Sequence, residues 1–217
     1  MDNQAGARQP YRIVTPPSAA TMACKRAFDI LCSFLGLTVL SPVLLVVSVL
    51  VAVTSPGGVF FCQERVGKDG KPFRIFKFRS MRKDNAGLKI TTGNDSRITP
   101  VGRFLRKSKI DELPQLINVL VGDMSFVGPR PEVADYVNLY TPYQRQVLLV
   151  RPGITGLASI RFRNENDLLT ASDDPNRTYV EQIMPRKIDL DLEYIPHASV
   201  FYDIKLIFQT FAVVIKE

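Results

Sequence analysis

The chain is poor in the residues from which metal cages and hydrolytic triads are made, with one histidine, His197, and three cysteines, Cys24, Cys32 and Cys62. A zinc site or a Ser-His-Asp triad would have to rest on that single imidazole. The cysteines form neither a C-x-x-C pair nor a ligand cluster, and two lie in or beside an apolar stretch, so they read as small hydrophobes in a reducing compartment. No G-x-G-x-x-G and no P-loop sequence occurs, which leaves ATP and dinucleotide binding without a motif. Length excludes something as well: 217 residues suit one domain with a sizeable core and leave little for a second.

What is present is positive charge and one concentrated apolar segment. A formal net charge of +7 favours negatively charged partners, whether nucleic acid, anionic lipid or phosphorylated small molecules. Residues 1–20 are polar and proline-containing and read as a disordered tail, so 21–217 forms the single domain. Lys25-Arg26 then leads into an apolar run from Ala27 to Val53, too long for a signal-peptide core of about 7–15 residues.

A straight helix over that run would reach about 40 Å, more than the roughly 30 Å hydrocarbon core of a bilayer. Ser41-Pro42 sits at its middle, where proline removes a donor and crowds the carbonyl of Thr38. Both flanks are basic, with Lys25 and Arg26 before the run and Arg65, Lys68, Lys71, Arg74, Lys77 and Arg79 after it, so the positive-inside rule asks for both ends on one side. A re-entrant helix-break-helix over 21–54 satisfies both observations, since arms of about 22 and 18 Å each fall short of a crossing. A kinked spanning helix is the alternative, with serine or water satisfying the freed carbonyl.

Beyond Ser55-Pro56-Gly57-Gly58, Val59–Val66 and Phe73–Met81 flank Asp69-Gly70 and predict a β-hairpin. Its second strand mixes aromatic and cationic side chains on both faces, as a solvated ribbon or a phosphate-facing one. Residues 84–96 are polar and read as a loop. Thr99-Pro100 then opens a helix with an N-cap and a first-turn proline, and Arg103, Arg106 and Lys107 share one face of it.

Asp111-Glu112-Leu113-Pro114 precedes a helical pattern of Leu116, Ile117, Val119 and Leu120. Pro114 fits only a first turn, so both carboxylates lie at or just before a helix N-terminus, where capping is their common role. The same place favours bound phosphate, and a carboxylate beside a metal ion can attack a phosphoryl centre while Arg103 and Arg106 hold a diphosphate. Gly128-Pro129-Arg130-Pro131-Glu132 is a proline-locked turn that presents Arg130 with little backbone freedom, and Arg151-Pro152-Gly153-Ile154-Thr155-Gly156 repeats the style. From Ser199 to Lys216, Val200, Phe201, Ile204, Ile207, Phe208, Phe211 and Ile215 recur at roughly helical spacing, as core or as a helix lying on a membrane surface. The fold class expected is therefore mainly α with a small β-hairpin (α+β), a re-entrant membrane helix and surface-lying amphipathic helices.

Several ordered blocks between Cys24 and Tyr194 resemble one family, the bacterial sugar transferases, or monotopic polyprenyl-phosphate phosphoglycosyl transferases. They are Lys25-Arg26-Ala27-Phe28-Asp29, Ser41-Pro42, Gln63-Glu64-Arg65-Val66-Gly67, Phe76-Lys77-Phe78-Arg79-Ser80-Met81, Asp111-Glu112-Leu113-Pro114-Gln115, the stretch from Gly122-Asp123-Met124 to Pro131, and Arg151–Gly156. The resemblance implies that Asp111 attacks the β-phosphate of a UDP-sugar, expels UMP and carries a phosphosugar that polyprenyl (undecaprenyl) phosphate then collects. This is the first membrane step of bacterial glycoconjugate assembly, at the cytoplasmic face of the inner membrane. Glu112 matches the second member of the family's acidic dyad, and Mg2+ near Asp111 would offset charge on the diphosphate. Lys77, Arg79, Arg106, Arg130 and Arg151 are the expected contacts to substrate phosphate. The family's short members carry the re-entrant helix, which favours a break at Ser41-Pro42, and this chain resembles their minimal catalytic core.

Two rival readings are weaker. A membrane anchor or assembly scaffold would need the apolar segment and the basic surface but no carboxylate pair beside arginines. A nucleic-acid-binding protein would need a reading motif, and the cations here neighbour membrane-type sequence instead. Oligomeric state stays open, a homodimer included.

Overall fold

The computed structural model describes residues 13–55, 57–82 and 97–215. The polar stretch 84–96 and residues 1–12 of the expected tail lie outside the described residues. Val14, within that tail segment, is buried in the main core, and its N–H donates to Gln146 Oε1 at 2.7 Å.

The apolar run forms α1 (Ala19–Thr54), opened by Ser18, whose hydroxyl accepts from the N–H of Thr21. Its helical backbone continues through Pro42. The carbonyl of Thr38, which Pro42 cannot serve, accepts from the hydroxyl of Ser41 at 2.8 Å, the local repair that lets proline sit inside a helix. Lys25, Asp29 and Ser33 are buried at a spacing of four, so α1 turns a polar stripe toward the protein. Phe34, Leu35, Val39, Leu45, Val46 and Val53 are exposed around the rest of it. The helix is long and apolar enough to cross a membrane.

A hairpin follows, with β1 (Phe60–Val66) antiparallel to β2 (Pro72–Phe78), Phe60 opposite Phe78 and Val66 opposite Pro72. Asp69 and Gly70 carry φ of 57° and 74°, the paired positive values of the tight turn that an Asp-Gly sequence prefers. α2 (Pro100–Lys107) is capped by Thr99, whose hydroxyl accepts from the N–H of Gly102 at 2.9 Å, with Pro100 in its first turn. A Cβ on Gly102 would lie 2.0 Å from the carbonyl oxygen of Ser80, so only glycine lets α2 press onto the end of the hairpin.

α3 (Gln115–Val121) packs beside the hairpin through Asn118, which is fully buried. Its side-chain oxygen accepts from the N–H of Phe76 at 3.0 Å and its amide donates to the carbonyl of Arg74 at 2.7 Å. One amide thus imitates a peptide edge and fixes α3 against β2.

Two three-residue strands, β3 (Ser125–Val127) and β4 (Gly153–Thr155), pair in parallel, and α4 (Ala134–Val137) lies between them in the chain. Neither strand has a sequence signal, because three residues are too few to show a period of two. α5 (Leu157–Arg161), α6 (Glu165–Thr170) and α7 (Pro175–Thr178) lead into a π-helical turn, Tyr179–Ile183, and then α8 (Met184–Tyr194). Met184, Ile188 and Leu192 of α8 supply the main core's stripe against Val137, Tyr140 and Val147. α9 (Val200–Ile215) buries Leu206 there and leaves Phe201, Phe208 and Phe211 exposed.

Both ends of α1 are held by this body. Val47 and Val51 pack with Phe78 of β2 and Leu105 of α2. At the other end Lys25, buried, donates to Ser125 Oγ at 2.5 Å, to the carbonyl of Val127 at 3.1 Å and to Asp203 of α9, which also accepts from Tyr194 at 2.7 Å. Ser125 in turn donates to Asp29 at 3.1 Å. Removing one member of a buried ion pair strands the other charge, which typically costs about 3–5 kcal/mol, whereas replacing both with apolar groups costs far less. Lys25→Met is expected to lower the unfolding midpoint in detergent strongly, and Lys25→Met combined with Asp203→Leu to recover most of it. Equal stability of the single variant and the wild type would contradict this role.

Candidate active site

The site is assembled where α2, α3 and the hairpin meet. α2 ends at Ser108, and Lys109 then adopts a left-handed conformation, φ 58° and ψ 12°. For a lysine that conformation costs on the order of 1–2 kcal/mol. It starts a single 3-10 turn, Ile110–Glu112, followed by Pro114 as the N-cap of α3. The carboxylates therefore stand just before the helix, as the proline implied. They do not cap it: α3 has no side-chain cap, and Asp111 Oδ1 has no hydrogen-bond partner among the described residues.

The two carboxyls experience opposite surroundings. Glu112 is gripped by Lys77 Nζ at 2.8 Å and Arg130 Nη2 at 3.3 Å. Burial pushes its carboxyl up, but these two cations and the direct Lys77 hydrogen bond reverse the effect and hold it well below the usual carboxylate range. Asp111 is 8 % exposed, and burial raises its carboxyl above the ordinary value, with the neighbouring charge of Glu112 adding to the rise. Lys77, Arg106 and Lys109 pull the other way without cancelling it. Burial likewise lowers the Lys77 ammonium, and Glu112 opposes that.

Each cation is placed by a separate element. Lys77 comes from β2, one residue beyond the Phe76 that Asn118 pins. Arg106 turns inward from α2, its Nε donating to Ser80 Oγ at 2.9 Å and a second nitrogen lying 2.9 Å from the sulfur of Met81, while Arg103 and Lys107 stay exposed. Arg130 is carried by the turn after β3, which is tied to β4 by Gly128 N–H to Thr155 O at 3.0 Å and by Gly153 N–H to Pro129 O at 2.9 Å. A Cβ on Gly153 would lie 2.1 Å from the nitrogen of Gly128, so that crossing also demands glycine.

Of the expected phosphate contacts, Lys77, Arg106 and Arg130 gather at the dyad, and Arg79 and Arg151 are engaged elsewhere. Arg79 donates to the carbonyls of Gly58 and Phe60 at 2.9 and 3.0 Å and braces the start of the hairpin. Arg151 donates to the carbonyl of Gly122 at 2.8 Å, beyond the far end of α3, where Arg26 serves the carbonyls of Val119 and Leu120. Two further cations belong to the site. Lys109 carries no sequence signal, because nothing in Ser108-Lys109-Ile110 announces a left-handed turn. Arg65, inside one of the quoted blocks, donates to the carbonyl of Pro131 at 3.2 Å and lies 3.6 Å from Glu132, so it supports the turn bearing Arg130.

Among the described residues no three His, Cys, Asp or Glu side chains form a metal cage. Mg2+ is commonly held by one or two carboxylates together with substrate phosphates and water, and the unpartnered oxygen of Asp111 is a donor of that kind.

Comparison with known proteins places this arrangement. A model of the bacterial sugar transferase family matches residues 20–217. The UDP-glucose:undecaprenyl-phosphate glucose-1-phosphate transferase of Escherichia coli is 43% identical over 202 residues, which make up 90% of this chain and 41% of that protein. The UDP-N-acetylgalactosamine-undecaprenyl-phosphate N-acetylgalactosaminephosphotransferase of Aeromonas hydrophila is 39% identical over 89% of this chain and 44% of its own length. The exopolysaccharide production protein PSS of Rhizobium leguminosarum bv. phaseoli is 41% identical over 199 residues, 87% of this chain and 94% of that one. The chain thus spans less than half of the first two relatives and nearly all of the third. A family match running from the start of the apolar helix through the dyad to the C-terminal helix makes this chain a member of the bacterial sugar transferase family.

Proposed function

We propose that the chain transfers a sugar 1-phosphate from a UDP-sugar to polyprenyl phosphate, releasing UMP, through a covalent phosphosugar on Asp111, as the first membrane step of bacterial glycoconjugate assembly. The observation that carries this reading is the buried, unpartnered oxygen of Asp111 among Lys77, Arg106 and Lys109, beside a Glu112 already neutralised by Lys77 and Arg130. A scaffold has no use for such an arrangement. The names of the relatives, which specify UDP-glucose or UDP-N-acetylgalactosamine and undecaprenyl phosphate, support the same substrate classes.

In the first step an oxygen of Asp111 forms a bond to the β-phosphorus, the bridging P–O bond breaks, and its electron pair leaves with UMP. In the second, an oxygen of the polyprenyl phosphate attacks the same phosphorus and the carboxylate departs unchanged. Glu112 keeps Lys77 and Arg130 poised at the reacting phosphate, and Arg106, anchored on Ser80, adds a fixed positive charge. Mg2+ held by Asp111 and the donor's phosphate oxygens would offset charge on the diphosphate.

The membrane setting belongs to the same proposal. α1 would bend at Pro42 without losing its helical backbone and so enter and return through one leaflet, a reading supported by the packing of both its ends on one body and by basic residues on both flanks. α9 lies at the headgroup level with Phe201, Phe208 and Phe211 toward the acyl chains, and the site faces the cytoplasm at the bacterial inner membrane.

Asp111→Asn is expected to lower UMP release more than about 10³-fold and to abolish the donor-dependent adduct, seen by intact-protein mass spectrometry as a phosphosugar mass increment. An adduct absent from the wild type while product forms, or an obligatory ternary complex in place of ping-pong kinetics, would defeat the covalent scheme. The pH dependence has a definite sign. The folded carboxyl of Asp111 is raised, so the proton stabilises the fold and ionisation at neutral pH opposes it. Asp111→Asn should therefore melt above the wild type near pH 7. The wild-type rate should fall, as pH drops, through a value above the ordinary carboxylate range, and Lys77→Met should shift that limb further upward.

A further inference from the structure

Among the described residues only Asp69 and Lys109 have positive φ without being glycine. Asp69 lies in a hairpin turn, where aspartate tolerates the left-handed region. Lys109 has no such local reason. Its Cβ crowds the following carbonyl, and its side chain is too long for the local hydrogen bond that makes aspartate or asparagine acceptable there. Glycine or asparagine would suit the backbone better, and lysine contributes only a cation on a flexible stem.

That cation is fixed at its root. The carbonyl of Lys109 accepts from the N–H of Glu112 at 3.1 Å, and its own N–H donates to the carbonyl of Arg106 at 3.3 Å, so the turn that bears the dyad also bears Lys109. The other cations at the site have work already: Lys77 and Arg130 hold Glu112, and Arg106 is anchored on Ser80. Lys109 is exposed, and among the described residues its ammonium has no hydrogen bond or ion pair.

We propose that Lys109 is a substrate-binding residue that takes the phosphate adjacent to the one under attack, the phosphate that departs with the nucleotide. The proposal rests on reading Asp111 as the nucleophile toward a nucleoside diphosphate sugar. With the β-phosphorus at Asp111, the α-phosphate must lie one bridging oxygen away, within reach of a lysine rooted two residues earlier in the same turn. Negative charge grows on that group as the P–O bond breaks, so a cation there assists both binding and departure.

The test separates backbone from charge. Lys109→Gly and Lys109→Asn relieve the left-handed strain and delete the ammonium, whereas Lys109→Arg keeps a cation. Lys109→Gly should melt at or above the wild-type temperature, yet lose about 10-fold or more in kcat/KM for UMP release, as expected for one charge-assisted hydrogen bond. Inhibition by added UMP should weaken by a similar factor, and Lys109→Arg should stay within a few-fold of the wild type. Asp69→Gly, which relaxes the same conformation in the hairpin turn, should leave the kinetics unchanged. Wild-type kcat/KM or undiminished UMP inhibition in Lys109→Gly overturns this assignment while leaving the reaction intact. A wild-type protein that releases no UMP from any UDP-sugar overturns the reaction, and the assignment with it.

Discussion

One buried ammonium sets the relation between the apolar helix and everything else. Lys25 is buried at the foot of the apolar run, and a charge there is tolerable only because Ser125, the Val127 carbonyl and Asp203 surround it. Those partners belong to β3 and α9, so the ion pair fixes where α1 stands against both. β3 runs directly into the Gly128–Pro131 turn, and that turn presents Arg130 to Glu112. The contact that roots the helix is thus a few covalent bonds and one strand pairing from the dyad.

The dyad shows how two adjacent carboxyls acquire different characters from their surroundings alone. Glu112 is saturated by cations and stays charged, a fixed part of the electrostatic frame. Asp111 keeps an oxygen without a partner in a confined place. Asn118 maintains the difference from behind: by copying a peptide edge against β2 it holds Lys77 at Glu112 and keeps α3 from drifting. Local sequence rules explain each piece of this arrangement except the left-handed Lys109, and broken local rules tend to mark functional positions.

The long apolar helix, the hairpin with its Asp-Gly turn, the Thr99-Pro100 helix start and the dyad ahead of Pro114 were all legible, because each has a short-range cause: a run, a positive-φ turn, a cap, a missing donor. The break expected at Ser41-Pro42 does not interrupt the helix, because Ser41 repairs the carbonyl that Pro42 leaves free, as in the alternative reading of that segment. The parallel pairing of β3 with β4 was not legible, since it joins residues far apart in sequence and each strand is three residues long. Distinguishing Arg130 from Arg151 also lay beyond the sequence. Both sit in arginine-proline-glycine contexts, and only the packing sends one to Glu112 and the other to the Gly122 carbonyl.

The span of the Lys25–Asp203 pair, 178 residues along the chain, bears on how the protein is made. Lys25 of the apolar helix leaves the ribosome 178 residues ahead of Asp203, and its ammonium must then remain near water or another anion until α9 is synthesised. Docking of α9 therefore completes the neutralisation of Lys25, and a chain cut short before Asp203 would leave that ammonium at the foot of the apolar helix without its carboxylate.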